Sequence, residues 1–146
     1  MNHKEKAKEI FLKGNNCAQA VFGAFSDVTG IDEETALKIS ASFGGGMGHM
    51  GEVCGAVSGM FMAAGVVFGY GANVSPKIKQ KHNELVVKMA KQFKERFPSL
   101  LCRDLMKGLA NNDFSLPEGD EYKNRPCLIF VEYATEIMDK LLNTQN

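Results

Sequence analysis

A long stretch without charge constrains the fold of this chain more than any other feature. No Asp, Glu, Lys or Arg occurs from Val53 to Val74, although 23% of all residues are charged. The stretch is long enough to span a bilayer, but Gly51, Gly55 and Gly59 recur at the four-residue spacing of closely packed helices. A helix that is apolar on every side is a buried one. We therefore predict that a helix from Glu52 to about Tyr70 lies at the centre of a helical bundle.

Amphipathic segments surround this central helix in the sequence. Apolar residues at helical spacing, bounded by Gly, Pro and acidic first turns, predict helices. These helices cover residues 3–13, 17–28, 31–43 and 75–97. A short helix carries Cys102, and a last one starts at Pro126. Residues Gly108 to Arg125 are rich in Asn, Asp, Pro and Gly and predict a long loop. The sequence contains no convincing strand and no domain boundary, so residues 1–146 are predicted to form a single all-α domain. Gly55 and Gly59 are predicted to be packing positions on the buried helix.

Composition excludes several classes of partner. Lys and Arg together number 17, as do Asp and Glu, so nothing indicates a nucleic-acid or anionic-membrane partner, and no stable membrane insertion is expected. The charged N-terminus lacks the apolar core of a signal peptide, so we expect a cytoplasmic protein. Structural disulfides are rare in that compartment, and the cysteines are expected to be reduced, metal-bound or in redox exchange.

The four cysteines are far apart in sequence, yet each is predicted to lie in the first turn of a helix. They are preceded by Asn, Gly, Ser or Pro, which favour helix starts, and they are Cys17, Cys54, Cys102 and Cys127. The N-terminus of a helix carries partial positive charge and lowers the pKa of a thiol. We therefore predict that the four sulfurs converge on a redox or metal site, and that at least one thiol, with Cys54 favoured, has a depressed pKa in the metal-free protein.

The glycine run before Cys54 matches the dinucleotide fingerprint G-x-G-x-x-G by letter, from Gly46 to Gly51. The required strand, the βαβ unit and the acidic residue about 20 positions on are missing, so nucleotide binding is not predicted. Glycine lets a backbone approach a ligand closely and present its N–H groups. Gly46, Gly48, Gly51 and Gly55 are therefore predicted to face a cofactor, either an anionic sulfur-rich cluster or a cysteine thiolate.

The chemistry of four thiols leaves several possibilities open. No C-x-x-C occurs, so neither a zinc ribbon nor a thioredoxin-type pair is indicated. Four thiolates complete an iron–sulfur site, whereas zinc with four thiolates is a closed structural site and is the less favoured metal. Alternatively, a pair of the cysteines performs thiol–disulfide exchange as an oxidoreductase. A third possibility is a binding or assembly protein, without enzymatic activity, whose cysteines are small core side chains.

Several of these segments together resemble a known family. The segment from Gly14 to Val21, the block Gly51 to Gly59 with its pattern Gly-x-x-Cys-Gly-Ala-x-x-Gly, and the later single Cys102 and Cys127 resemble the C-GCAxxG-C-C family of redox-active proteins. The family is similar to the cysteine-bearing portion of split-Soret cytochrome c. This resemblance implies electron transfer or redox sensing through a metal or iron–sulfur cluster held by the four cysteines. No C-x-x-C-H is present, so covalent haem is not implied. The sequence does not identify a redox partner protein, and it is compatible with a homodimer.

Overall fold

The computed structural model describes residues 1–145 and consists of α-helices joined by short connections. Their bounds are as follows: α1 His3–Leu12, α2 Cys17–Ala24, α3 Ser26–Thr29, α4 Glu33–Ser40, α5 Gly55–Phe68, α6 Pro76–Lys94, α7 Cys102–Ala110, α8 Asp120–Asn124 and α9 Leu128–Thr144. A 3-10 turn, Ala41–Phe43, follows α4. Within residues 1–145 there is no strand, and one isolated bridge pairs Val53 with Leu101. The predicted all-α class is confirmed.

Helix α5 is the centre of the bundle, as its composition predicts. Most of its first ten residues are buried, and it packs mainly against α2 and α9. The helix is shorter than the predicted range of Glu52 to Tyr70. It begins only at Gly55, because the backbone N–H of Cys54 pairs with the carbonyl of Leu100 (2.7 Å) instead of entering a helix. It ends at Phe68, after which Gly69 is extended.

The other helices cover α5 and enclose an aromatic core. Helix α1 packs on α2 and α9, and α6 packs on α5 and α9. The rings of Phe93, Phe97 and Phe130 lie 4.8 to 6.5 Å apart between their centroids. Phe114 contacts both Phe97 and Phe130, so the connection between α7 and α8 is anchored in this core. Aromatic pairs at these distances stabilise a core beyond their buried area.

Two predicted elements differ from the structure. The helix expected over residues 17–28 is interrupted at Phe25, which ends α2 and precedes the one-turn helix α3. The long loop expected from Gly108 to Arg125 contains the short helix α8. The loop composition concealed α8 because tertiary contacts hold it: Tyr122 is buried, and its hydroxyl donates to Glu132 in α9 at 2.6 Å.

The length of the helices bears on the bilayer question raised by the apolar stretch. Among the helices of residues 1–145, none combines the length and the apolar character that crossing a bilayer requires. Helix α5, with 14 residues, is the most apolar of them.

Candidate functional site

All four cysteines line one cavity at the end of the bundle where α5 begins. The cavity has a volume of about 510 Å³, and its wall includes Cys17, Cys54, Cys102 and Cys127. Cys17 and Cys102 are the first residues of α2 and α7, and Cys54 and Cys127 immediately precede α5 and α9. Four helix N-termini, each with partial positive charge, therefore surround the cavity. The predicted convergence of the four cysteines at helix starts is confirmed.

Cys17 is positioned by a capping box at the start of α2. The side-chain oxygen of Asn16 accepts a hydrogen bond from the N–H of Gln19 at 2.9 Å, and the Gln19 side chain accepts one from the N–H of Asn16 at 3.0 Å. The amide of Asn16 also donates to the carbonyl of Ala41. This reciprocal cap fixes the first turn of a helix, so the position of the Cys17 thiol follows from the local sequence.

Cys54 and Cys102 are held beside each other by backbone hydrogen bonds. The N–H of Cys54 donates to the carbonyl of Leu100 at 2.7 Å, and the N–H of Cys102 donates to the carbonyl of Glu52 at 2.6 Å. The N–H of Arg103 reaches the carbonyl of Gly51 at 3.2 Å. The segment before α5 and the segment before α7 thus form one short antiparallel joint, which carries two of the four thiols.

Cys17 and Cys127 line the same side of the cavity, near enough for each thiol to shift the pKa of the other. Cys127 Sγ donates to Met106 Sδ at 3.4 Å. Gly55 allows α5 to approach Cys17, because a Cβ at Gly55 would lie 3.2 Å from Cys17 Cβ and 3.0 Å from the backbone nitrogen of Ala18. Three sulfur atoms therefore meet on one side of the cavity.

The charged side chains on the cavity wall are cationic. They are Arg103 and Arg125, and within residues 1–145 no Asp or Glu lines the cavity. Arg103 is partly neutralised, since it lies 3.4 Å from the carboxylate of Glu52. Together with the four helix N-termini, this set of charges favours an anionic occupant.

The prediction of a depressed pKa is wrong for Cys54, the cysteine that the sequence favoured. Burial raises the pKa of the Cys54 thiol to about 12, although the N–H groups of Ala56 and Val57 act in the opposite direction. Only 3% of Cys54 is exposed. The free energy needed to remove a thiolate from water exceeds the stabilisation that these two N–H donors give it. The pattern of residues indicates the helix start but not the depth at which the sulfur lies.

The thiol with the lowered pKa is Cys127. The hydrogen bond from Cys17 lowers the pKa of Cys127 most, and the positive charge of Arg125 lowers it further, against the effect of burial. The pKa of Cys17 is raised well above its ordinary value, because its proton is used in that hydrogen bond and because the thiol is desolvated. Burial also raises the pKa of Cys102. Cys127 is therefore the more acidic thiol of the pair.

The glycines predicted to face a cofactor occupy different positions. Gly51 and Gly55 line the cavity. Gly46 packs against protein instead, since a Cβ there would lie 2.7 Å from Cys102 Cβ and 2.6 Å from the nitrogen of Glu52. Gly48 is not among the lining residues. Their role in binding a cofactor stays a prediction.

The backbone of this glycine loop is left-handed and bonds to itself. Six of its residues have φ between +59° and +75°, namely Gly45, Gly46, Met47, Gly48, His49 and Gly51. The predicted exposure of N–H groups toward the site is wrong for most of the loop: the N–H groups of residues 47–52 all donate to carbonyls of residues 42–47. Glycine suits these positions because a left-handed backbone strains other residues.

The arrangement of the donor atoms bears on which metal the four thiols can hold. Within residues 1–145, no three Cys, His, Asp or Glu side chains stand closely enough round one point to hold a single metal ion. The four thiols stand round a cavity instead. An iron–sulfur cluster contains several atoms and separates its cysteine ligands further than one zinc ion does. Cysteine thiolates are the donor type that both iron–sulfur clusters and structural zinc use.

Sequence reasoning missed Arg125 and Met106, which both contact the Cys17–Cys127 side of the cavity. Arg125 could have been identified from the sequence, because a cation two residues before a cysteine at a helix start lowers the pKa of the thiol. Met106 could not, since its approach to Cys127 depends on how α7 packs against the start of α9.

These observations define the class: an all-α protein in which four cysteines from four helix N-termini share one cavity. The chain belongs to the family described as "putative redox-active protein (C_GCAxxG_C_C)", whose model matches residues 15–141. The match includes all four cysteines and the glycine loop. No curated protein and no solved structure matches the chain at a significant level.

Proposed function

We propose that this chain is a redox protein whose four cysteines hold an iron–sulfur cluster for electron transfer or redox sensing. The observation that carries the proposal is that Cys17, Cys54, Cys102 and Cys127 all line one cavity, each at the N-terminal end of its helix. Cysteine thiolates are the usual ligands of such clusters. A bound cluster would supply one-electron chemistry that thiols alone do not provide.

The residues round the thiols suit an anionic group. The N-termini of α2, α5, α7 and α9 and the guanidinium groups of Arg103 and Arg125 place positive charge on the wall. This charge favours thiolate over thiol. Phe11, Leu105 and Phe130 make the rest of the wall apolar, and exclusion of solvent is one of the factors that set the potential of a cluster.

Anaerobic purification and reconstitution with iron and sulfide test the proposal. We expect visible absorption and equal amounts of iron and acid-labile sulfide in the wild type. Each of the four Cys→Ser variants should bind less iron. Met106→Leu is the matched control, because it changes a side chain that lines the same cavity without removing a cysteine. A wild-type protein that stays colourless after reconstitution, or four serine variants that load like the wild type, would contradict the proposal.

The proximity of Cys17 and Cys127 in the cavity favours a second candidate function, thiol–disulfide exchange. In this reaction the Cys127 thiolate attacks a substrate disulfide, forming a mixed disulfide and releasing the first substrate thiolate. The Cys17 sulfur then attacks Cys127 in the mixed disulfide and releases the second, so that two electrons pass from the protein pair to the substrate. The proton of Cys17 leaves with the released thiol. The two thiols line one cavity and shift each other's pKa, and this proximity is what the second step requires.

The two candidates are separated by which cysteines each one needs. Exchange requires Cys17 and Cys127 only, so Cys54→Ser and Cys102→Ser should keep the turnover of a small disulfide at about the wild-type rate. A cluster requires all four cysteines, so the same two variants should lose iron. A protein that turns over disulfides and binds no iron under reconstitution supports the second candidate over the first.

A further inference from the structure

The cysteine-bearing segments are joined in pairs by different means. Cys54 and Cys102 are joined by main-chain hydrogen bonds between residues 51–54 and 100–103, which do not depend on side chains. No comparable backbone joint connects Cys17 with Cys127 in the part of the chain that the structure describes. The segment before α2 and the segment before α9 are instead connected by the side chain of Arg125.

Arg125 makes three contacts with the chain that leads to Cys17. Its Nη1 donates to the carbonyl of Phe11, its Nη2 donates to the carbonyl of Asn15 at 3.1 Å, and its guanidinium carbon lies 3.7 Å from the centroid of the Phe11 ring. Asn15 is two residues before Cys17, and Arg125 is two residues before Cys127. The guanidinium therefore connects the two segments within two residues of each sulfur.

We propose that Arg125 is a positioning residue that sets the separation of Cys17 and Cys127. This deepens the proposed function and rests on it, because it assigns to Arg125 the geometry of half of the redox site. The planar guanidinium donates to two carbonyls at once while it stacks on a ring, and the ammonium of lysine cannot reproduce this combination. Arg125→Lys thus keeps the positive charge and removes the geometry.

The stability of a Cys17–Cys127 disulfide measures that separation without any metal. The metal-free protein is equilibrated with reduced and oxidised glutathione, and the disulfide that forms is identified by peptide mapping. We expect Cys17–Cys127 in the wild type. In Arg125→Lys the equilibrium constant of this disulfide should fall about tenfold, which raises the reduction potential of the pair by about 30 mV.

Arg96→Lys is the matched control. Arg96 also lies over aromatic rings, 5.1 Å from the centroids of Phe97 and Tyr133, but it does not line the cavity. The Arg96→Lys substitution should lower the melting temperature without changing the reduction potential of the Cys17–Cys127 pair. Phe11→Leu, which removes the ring under the guanidinium, should change the potential in the same direction as Arg125→Lys by a smaller factor, and it provides the test if the lysine variant does not fold.

Three results would overturn the inference. The first is a wild-type disulfide between any other pair of cysteines. The second is an unchanged reduction potential in Arg125→Lys or, if that variant does not fold, in Phe11→Leu. The third is a change in Arg96→Lys as large as that in Arg125→Lys. Failure of the cluster proposal gives a different result, since the protein would then bind no iron while the potential still shifted in Arg125→Lys.

Discussion

At the scale of single residues, the cavity makes four identical side chains chemically unequal. Cys127 has a lowered pKa because it accepts the proton of Cys17 in a hydrogen bond and lies near the charge of Arg125. Cys54 has a pKa raised to about 12 because it is buried. Since the thiolate is the nucleophile, one cysteine of the four should react well before the others.

We predict that Cys127 is alkylated first in the metal-free protein. Its rate should reach half of its maximum at a lower pH than that of any other cysteine of the chain, because its pKa is lowered whereas those of Cys17, Cys54 and Cys102 are raised. Cys54 should react last, and only at strongly alkaline pH or on unfolding. Alkylation with iodoacetamide over a pH series, followed by peptide mapping, measures all four rates in one sample. A Cys54 that reacts as fast as Cys127 would show that its burial is not maintained in solution.

At the scale of elements, helix α5 is held against α2 at a distance that only glycine permits. A Cβ at Gly59 would lie 2.9 Å from the carbonyl oxygen of Ala18 and 2.9 Å from Val21 Cβ. Gly65, on the same helix, has nothing within 4 Å of the equivalent position. The two glycines therefore separate the effect of packing from the intrinsic preference of a helix for alanine.

We predict opposite effects of alanine at these two glycines. Gly59→Ala should lower the free energy of unfolding by about 1–3 kcal/mol, because the backbone of α2 must move. Gly65→Ala should raise it by about 0.5–1 kcal/mol, because alanine costs less backbone entropy in a helix. Urea unfolding of both variants measures the difference. A Gly59→Ala protein as stable as the Gly65→Ala protein would mean that α2 and α5 are not in close contact.

His3 joins three helices through two carboxylates. Its Nδ1 lies 2.6 Å from Asp139 in α9, and its Nε2 lies 2.9 Å from Asp27 in α3. Burial acts to lower the pKa of His3, but the hydrogen bonds and charges of Asp139 and Asp27 together outweigh it and raise the pKa above its usual value. The folded protein therefore binds this proton more tightly than the unfolded chain does.

The raised pKa predicts that the contribution of His3 to stability falls as pH rises. A group with a higher pKa in the folded state stabilises fully below its unfolded pKa, about 6.5 for histidine, and loses that contribution as pH rises through the folded pKa. The free energy of unfolding of the wild type should exceed that of His3→Gln most at about pH 6 and less at alkaline pH. His82→Gln is the control, since within residues 1–145 its ring forms no ion pair. A difference that grows with pH would contradict the assignment.

The sequence predicts the helices better than it predicts their ends. The buried α5 follows from an uncharged segment with spaced glycines, and α2 starts at Cys17 because Asn16 and Gln19 form a capping box. The start of α5 was misplaced because the residues before Gly55 pair with a segment almost 50 residues later. Such pairing is a tertiary contact and leaves no local pattern.

At the scale of the whole molecule, the position of the site was predictable and its chemistry only in part. Four cysteines at helix starts indicated one site, since the N-terminus of a helix favours a thiolate wherever it occurs. The ranking of the thiols was not predictable, because it depends on burial and on Arg125, whose contacts with Phe11 and Asn15 lie more than 100 residues away in sequence. Local patterns therefore identify the four cysteines, and the folded chain decides their reactivity.

Because Cys17 and Cys127 lie close together only in the folded chain, the disulfide that forms depends on whether oxidation comes before or after folding. These two residues are 110 positions apart, whereas Cys102 and Cys127 are 25 apart. The entropy of loop closure favours the shorter loop about tenfold in an unfolded chain. Oxidation in denaturant should therefore give the Cys102–Cys127 disulfide about tenfold more often than Cys17–Cys127, and oxidation of the native protein should give Cys17–Cys127, as peptide mapping of the two samples will show. The disulfide present in a purified sample then reveals whether the chain met its oxidant before or after it folded.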